Sequence, residues 1–249
     1  METNHSKTRP TSPDGEVALR LQIFGASPFA VLAAQSRDAL LELGRVERLP
    51  RRHRLTEQGE APRCLFLLGS GRVKLERITA ERVFPLGHRG PGQMVGETAI
   101  AGALGAGDPP AAAEHAVVVD ELEALALPMS GVKRLLLSDL AFRAAMGAAL
   151  LEQQREAERR LAALLLHGVE ARLMRFLLDA AARWGKPHTR GELIGAPFTH
   201  ADIALLIGST RETVTLLLGK LKRSAAIDFD RRRVLLCDRA ALERQLAAL

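Results

Sequence analysis

The chain has 249 residues, 47% of them hydrophobic and 26% charged, which is enough to bury one large core or two modest ones, and two domains are expected. A formal charge of +6 suits a polyanionic partner without identifying one. Only two cysteines, Cys64 and Cys237, are present, in apolar strand-like runs. They exclude a disulfide framework, suit neither zinc nor an iron–sulfur cluster, and read as inert structural thiols.

Residues 1–25 are polar at first and lack an apolar period, so they read as a disordered tail. Apolar runs fall short of the roughly 18 residues a membrane helix needs, and no secretory signal opens the chain. A cytoplasmic protein with no membrane partner is expected. Ser27 followed by Pro28 reads as a helix start, with Leu32, Leu40 and Leu43 carrying a helix or a broken pair to Gly44. Residues 45–128 alternate in short runs, Cys64 to Leu68, Arg72 to Ile78, Arg82 to Leu86, Met94-Val95 and Val117 to Leu127, punctuated by glycines such as Gly59, Gly71 and Gly96. That pattern predicts a small antiparallel barrel or sandwich.

From Ser138 to about Leu166 the chain is rich in Ala, Leu, Glu, Arg and Gln, without proline, as in a long exposed helix. Leu150, Ala157, Leu161 and Leu164 approximate a seam of three- and four-residue steps, and Glu152 to Arg160 is very polar. A further helix covers Arg172 to Ala182, ends at Trp184-Gly185-Lys186-Pro187, and gives way to a linker.

Thr199 to Arg223 reads as a helix-turn-helix. Thr199 and Asp202 form a weak capping box, Ile203, Leu206 and Ile207 share a face, and Gly208 makes the turn. Ser209 or Thr210 caps the second helix, whose Val214, Leu217, Leu218 and Leu221 face inward and whose Arg211, Glu212 and Thr215 face out. An Arg fork fits guanine, a Glu accepts from cytosine, and threonine hydroxyls and helix N-termini suit phosphate. The bland alternative makes Glu212 only the partner of Ser209 in a capping box and Arg211 a solvated charge. Ile227 to Leu236 reads as the hairpin of a wing, with Arg231 to Arg233 at its tip, or as a bare hairpin. A last amphipathic helix starts at Asp238. From Phe198 onward nine Lys or Arg stand against six Asp or Glu. That modest excess leaves the motif, not the charge, to carry the reading.

Gly208-Ser-Thr-Arg-Glu-Thr-Val-Thr215 closely resembles the recognition-helix signature of the cyclic-AMP receptor protein and fumarate-nitrate regulator (Crp/Fnr) superfamily of bacterial transcription factors. The Leu65 to Val73 run and Gly92-Gln-Met-Val-Gly-Glu97 resemble its cyclic-nucleotide-binding β-roll. The resemblance implies an α+β chain with a β-roll sensor at 26–137, a dimerisation helix at 138–167 and a winged helix-turn-helix domain at 168–249. It implies base contacts from Arg211 and Glu212 and phosphate contacts from Thr210 and Thr213. Thr215 is added to the base-reading set, and Thr199, His200, Ser209, Lys220 and Arg232 to the phosphate-facing one. Many members carry a second Arg where this chain has Leu216, so a guanine contact is missing and the operator departs from the family consensus.

In nucleotide-binding members a Gly-Glu pair holds the ribose and an Arg-Ser or Arg-Thr pair neutralises the cyclic phosphate. Gly96 and Glu97 match the first half, while Ala112 and Ala113 stand where the second should fall, so the effector pocket is degenerate. The hydroxyl pair that meets adenine is replaced by Ala157 and Glu158. A buried anion without a paired charge is costly, so cyclic AMP is not expected to bind by the family geometry. Glu97 is then either a remaining ligand group or a turn residue. Arg72, Lys74, Arg77, Arg82 and Arg89 are either a solvated strand face or the cations for another anion, such as cyclic di-GMP or a dicarboxylate. His53, His88 and His115 would be the candidates for haem, but no spacing supports it. Neither a catalytic group nor a metal cluster is found, and glycine-rich residues 102–107 lack the lysine of a phosphate loop, so no enzyme and no resident cofactor is expected.

The expected function is a homodimeric, sequence-specific regulator of transcription, either independent of a ligand or answering an effector other than cyclic AMP, bound to a near-palindromic duplex and able to meet RNA polymerase. The competing reading is a ligand-binding or scaffolding module whose helix-turn-helix contacts protein alone.

Overall fold

The computed structural model describes residues 13–80, 82–100, 111–195, 198–231 and 233–248. The chain divides into two compact units, Met1–Glu152 and Gln153–Leu249.

In the first unit, α1 (Pro13–Ala26) and α2 (Ala34–Leu43) precede eight strands: β1 (Arg45–Leu49), β2 (Arg54–Thr56), β3 (Cys64–Ser70), β4 (Val73–Ile78), β5 (Val83–Arg89), β6 (Met94–Val95), β7 (His115–Val118) and β8 (Leu122–Pro128). They form two antiparallel sheets, ordered β1-β8-β3-β6 and β2-β7-β4-β5. The uninterrupted apolar run of β3 follows from its position, because both of its faces are covered. Leu65 and Leu67 join Leu125 and Leu127 of β8 in a core with Ile23, Phe29, Leu40 and Phe142, while Phe66 and Leu68 join Val73, Ala116 and Val118 between the sheets. Between β3 and β4, Gly71 has φ +74°, and a Cβ there would lie 2.2 Å from the Glu121 carbonyl oxygen, so only glycine fits.

Three sequence expectations change here. Residues 13–25 of the expected disordered tail are helix α1, and Ile23 and Phe24 are buried in the core. Ser27 does not open a helix: its hydroxyl donates to the Phe24 carbonyl at 2.7 Å and accepts from the Phe29 amide, holding a turn before α2. The run Val117 to Leu127 is two strands, parted by a turn in which the Val119 amide donates to the Arg72 carbonyl at 2.8 Å.

Beyond β8 come α3 (Met129–Ser138) and the 27-residue α4 (Leu140–Leu166). Phe142, Ala145, Met146 and Ala149 of α4 are buried, and Leu150 packs partly against the same core. No helix among the described residues is long and apolar enough to cross a membrane.

The second unit contains α5 (Val169–Trp184), β9 (Gly185–His188), β10 (Gly191–Ile194), α6 (His200–Leu206), α7 (Arg211–Arg223), β11 (Ile227–Asp230), β12 (Arg233–Leu236) and α8 (Arg239–Ala247). The expected linker after Trp184 is therefore a hairpin, and it extends the wing into a four-stranded sheet, β11-β12-β10-β9. Pro187, which has no amide proton to donate, sits on the edge strand of that sheet. Leu173, Leu177, Ile203, Val214, Leu218, Leu221, Ile227 and Leu236 form its core.

Candidate nucleic-acid interface

The turn between α6 and α7 is set by local chemistry. Thr199 caps α6 in a complete capping box: its hydroxyl oxygen accepts from the Asp202 amide at 3.0 Å, and its own amide donates to the Asp202 carboxylate at 3.1 Å. Gly208, at φ +62°, turns the chain, and the Ser209 amide returns to the Ala204 carbonyl at 2.8 Å. Thr210 caps α7 by accepting from the Thr213 amide at 3.2 Å. Glu212 is thus the second residue of α7, one short of the capping-box position, so the bland reading that ties it to Ser209 does not hold.

Val214, Leu218 and Leu221 are buried, and Leu217 packs partly beside them. On the opposite face Arg211 and Glu212 are exposed, and their side chains make no hydrogen bond or ion pair within the described residues. Thr215 is exposed as well, but its hydroxyl donates to the Arg211 carbonyl at 2.8 Å and lies 2.8 Å from His200 Nδ1. Its single proton is therefore held inside the protein, leaving an acceptor and a methyl group.

Several groups expected to face phosphate already have partners. The Thr199 hydroxyl donates to Asp202 at 2.7 Å, His200 binds Thr215, and Lys220 pairs with Glu170 at 2.7 Å. Thr210 and Thr213 share one hydrogen bond of 2.9 Å between their hydroxyls, so one of the two protons remains to donate outward. Ser209 is half-buried beside them. Arg232 lies outside the described residues, while its neighbours Arg231 and Arg233 are exposed at the wing.

One positioning residue was not legible in sequence. Arg172, on α5, donates to the carbonyls of Leu164 and Gly208, at 3.2 and 3.4 Å, and so holds the turn from below. Thirty-six residues separate it from Gly208, and nothing in its own segment signals the contact. At the base of the wing Asp228 is held below the usual carboxylate range, first by a hydrogen bond from Lys222, then by the Phe229 amide and Arg190.

In the β-roll, Gly96, Glu97 and Thr98 line a cavity with Thr56, Leu75, Met94, Ala112, Glu114 and Arg89. The structure thus brings Ala112 to the wall that Gly96 and Glu97 share. Of the five cations weighed in sequence, Arg89 alone lines this cavity, and its Nε is buried without a hydrogen-bond partner among the described residues. Arg72 is buried against Asp120, Lys74 pairs with Glu76, and Arg77 donates to the Ala113 carbonyl. His115 Nδ1 accepts from the Gln58 amide, a structural bond in a strand. Residues 101–110, with the glycines weighed as a phosphate loop, lie outside the described residues.

Known proteins share the two domains that hold these sites. Residues 46–139 match the family model of the cyclic nucleotide-binding domain, and residues 171–245 that of the Crp-like helix-turn-helix domain. The transcriptional regulator LdrP of Thermus thermophilus is 30% identical over 201 residues, covering 80% of this chain and 96% of that protein. The chain belongs to the Crp/Fnr family. This regulator, with its helix-turn-helix DNA-binding domain, is also similar to the CRP-like cAMP-activated global transcriptional regulator of Mycobacterium tuberculosis, 27% identical over 92% of this chain and 98% of the relative. Among solved structures, a CRP-family transcriptional regulator of Thermus thermophilus superposes with a TM-score of 0.67 at 28% identity, covering 81% of this chain and 96% of that one.

Proposed function

We propose that this regulator acts as a homodimer that places one α7 in each of two successive major grooves of a near-palindromic duplex, their centres about 34 Å apart. The outward pair Arg211 and Glu212 at the start of α7, without a side-chain partner among the described residues, carries this reading, because it offers a guanine fork and a cytosine acceptor where a helix end enters a groove. Dimerisation is supported by α4. Leu140, Ala144, Gly147, Leu151, Gln154, Glu158, Leu161 and Leu165 recur in alternating steps of four and three, and the four leucines are 74%, 55%, 57% and 75% exposed. That stripe moves the seam off Leu150, which packs on its own core, and off Ala157 and Leu164, and keeps Leu161.

Cyclic AMP does not control this dimer through the usual cassette. Ala112 offers no charge to a cyclic phosphate, and the cation that the cavity does hold, Arg89, comes from strand β5 and not from the cassette. An anionic effector, whether cyclic di-GMP or a smaller anion, would meet Arg89 instead. RNA polymerase is the further partner that we propose for it at a promoter.

The test has two parts. Selection from a random DNA pool by the full chain should enrich a palindrome, with affinity falling steeply as salt rises. Leu161→Glu should convert a sedimenting dimer to monomer and weaken palindrome binding far more than half-site binding. A monomeric wild type, or enrichment of single half-sites only, contradicts the proposal.

A further inference from the structure

Leu216 is 68% exposed, one helical turn beyond Glu212 on the outward face of α7. Its neighbours give it a role. Thr215 beside it has no free proton, and Gly219 follows with no side chain to hold the groove away. Past the charged pair Arg211 and Glu212, Leu216 therefore sets an apolar group on the outward face, ahead of the exposed Lys220 and Arg223. A side chain of this kind cannot bond a base edge, but it packs on the one apolar group the major groove displays, the 5-methyl of thymine.

We propose that Leu216 reads a thymine methyl in each half-site, so that α7 specifies a G·C pair followed by an A·T pair of fixed orientation. The spacing follows from helix geometry. Residues four apart rise about 6 Å along a helix, against about 3.4 Å per base pair, so the thymine lies one to two base pairs from the pair that Glu212 contacts. The inference rests on α7 being the reading helix, and its test separates the two.

The selected operator is synthesised with each thymine replaced in turn by deoxyuracil, which removes only the methyl, and the full chain is titrated by fluorescence anisotropy. One position should lose about fourfold in affinity per half-site, the effect of one buried methyl, and other thymines should lose little. Leu216→Ala, a change at an exposed site that leaves the core intact, should bind thymine and uracil alike at that position. Leu216→Arg should shift the preference there toward guanine. Arg211→Ala serves as the control for the helix itself. If Arg211→Ala loses the site selectively while every methyl is dispensable, or Leu216→Ala keeps the wild-type sensitivity, the role of Leu216 is overturned and α7 remains the reader. If Arg211→Ala loses specific and random DNA equally, the reading helix is misassigned and the role of Leu216 falls with it.

Discussion

The start of α7 and the Arg72 to Lys74 segment of the β-roll dispose of their charges in opposite ways. On α7 Arg211 and Glu212, the groups proposed to read DNA, face solvent with no partner among the described residues, whereas in the β-roll Arg72 is buried against Asp120 and Lys74 is paired with Glu76. The difference has a physical cause. At an exposed helix end water solvates a waiting charge at little cost, but a buried charge must be paired or neutralised. A reading surface can thus stand ready without its ligand. In the β-roll cavity Ala112 brings no charge to the wall that Gly96 and Glu97 share, and the cation present there is Arg89.

The comparison breaks first at the cores, where the halves should not differ. Leu67 and Leu218 are both buried, so Leu67→Ala and Leu218→Ala should each cost about 2–5 kcal/mol of stability, measured by urea unfolding. A cost well below about 1 kcal/mol at either site would place that side chain outside a packed core. Next comes the surface. Arg211→Ala should lose about 1–3 kcal/mol on the selected operator and almost nothing on random DNA, with the fold unchanged by circular dichroism.

Gly208→Ala sharpens the comparison by straining the turn alone. A left-handed conformation costs an L-residue about 1–2 kcal/mol, and the new Cβ would stand 3.0 Å from a methyl of Leu164. Thermal unfolding should report that loss, and operator binding should weaken as α7 shifts relative to α6.

How much of this was legible in sequence depended on range. Thr199 with Asp202, Gly208 and Thr210 act within four residues of themselves, so the helix-turn-helix could be read from the chain directly. Helix α1 and the β9–β10 hairpin could not. Ile23 and Phe24 are ordered by a core built from β3 and β8, and the hairpin of Gly185 to Ile194, paired within itself, joins the wing sheet through Glu192 and Leu193 on β12. The same holds at the site, where His200 with Thr215 and Arg172 with Gly208 are contacts between elements. Arg89 looked no different from four other strand cations until the cavity singled it out.

The smallest effect is one of pH. Asp228 has its folded pKa held below the usual value, so its pairing with Lys222 and Arg190 stabilises the wing above the unfolded value of about 3.9 and is lost as pH falls through the folded one. The difference in melting temperature between wild type and Asp228→Asn should therefore be greatest near pH ~5–7, shrink below about pH 4, and shrink with added salt. A difference that persists unchanged at about pH 2 would assign Asp228 a role other than its charge.

The most direct test of the proposed contrast between a DNA-reading α7 and a β-roll that does not answer cyclic AMP is operator affinity of the full chain, titrated with and without saturating cyclic AMP. Equal affinity in both arms is the predicted result. A tenfold or greater tightening with cyclic AMP would show that the cavity still recognises a cyclic phosphate despite Ala112, and would contradict the account at its centre.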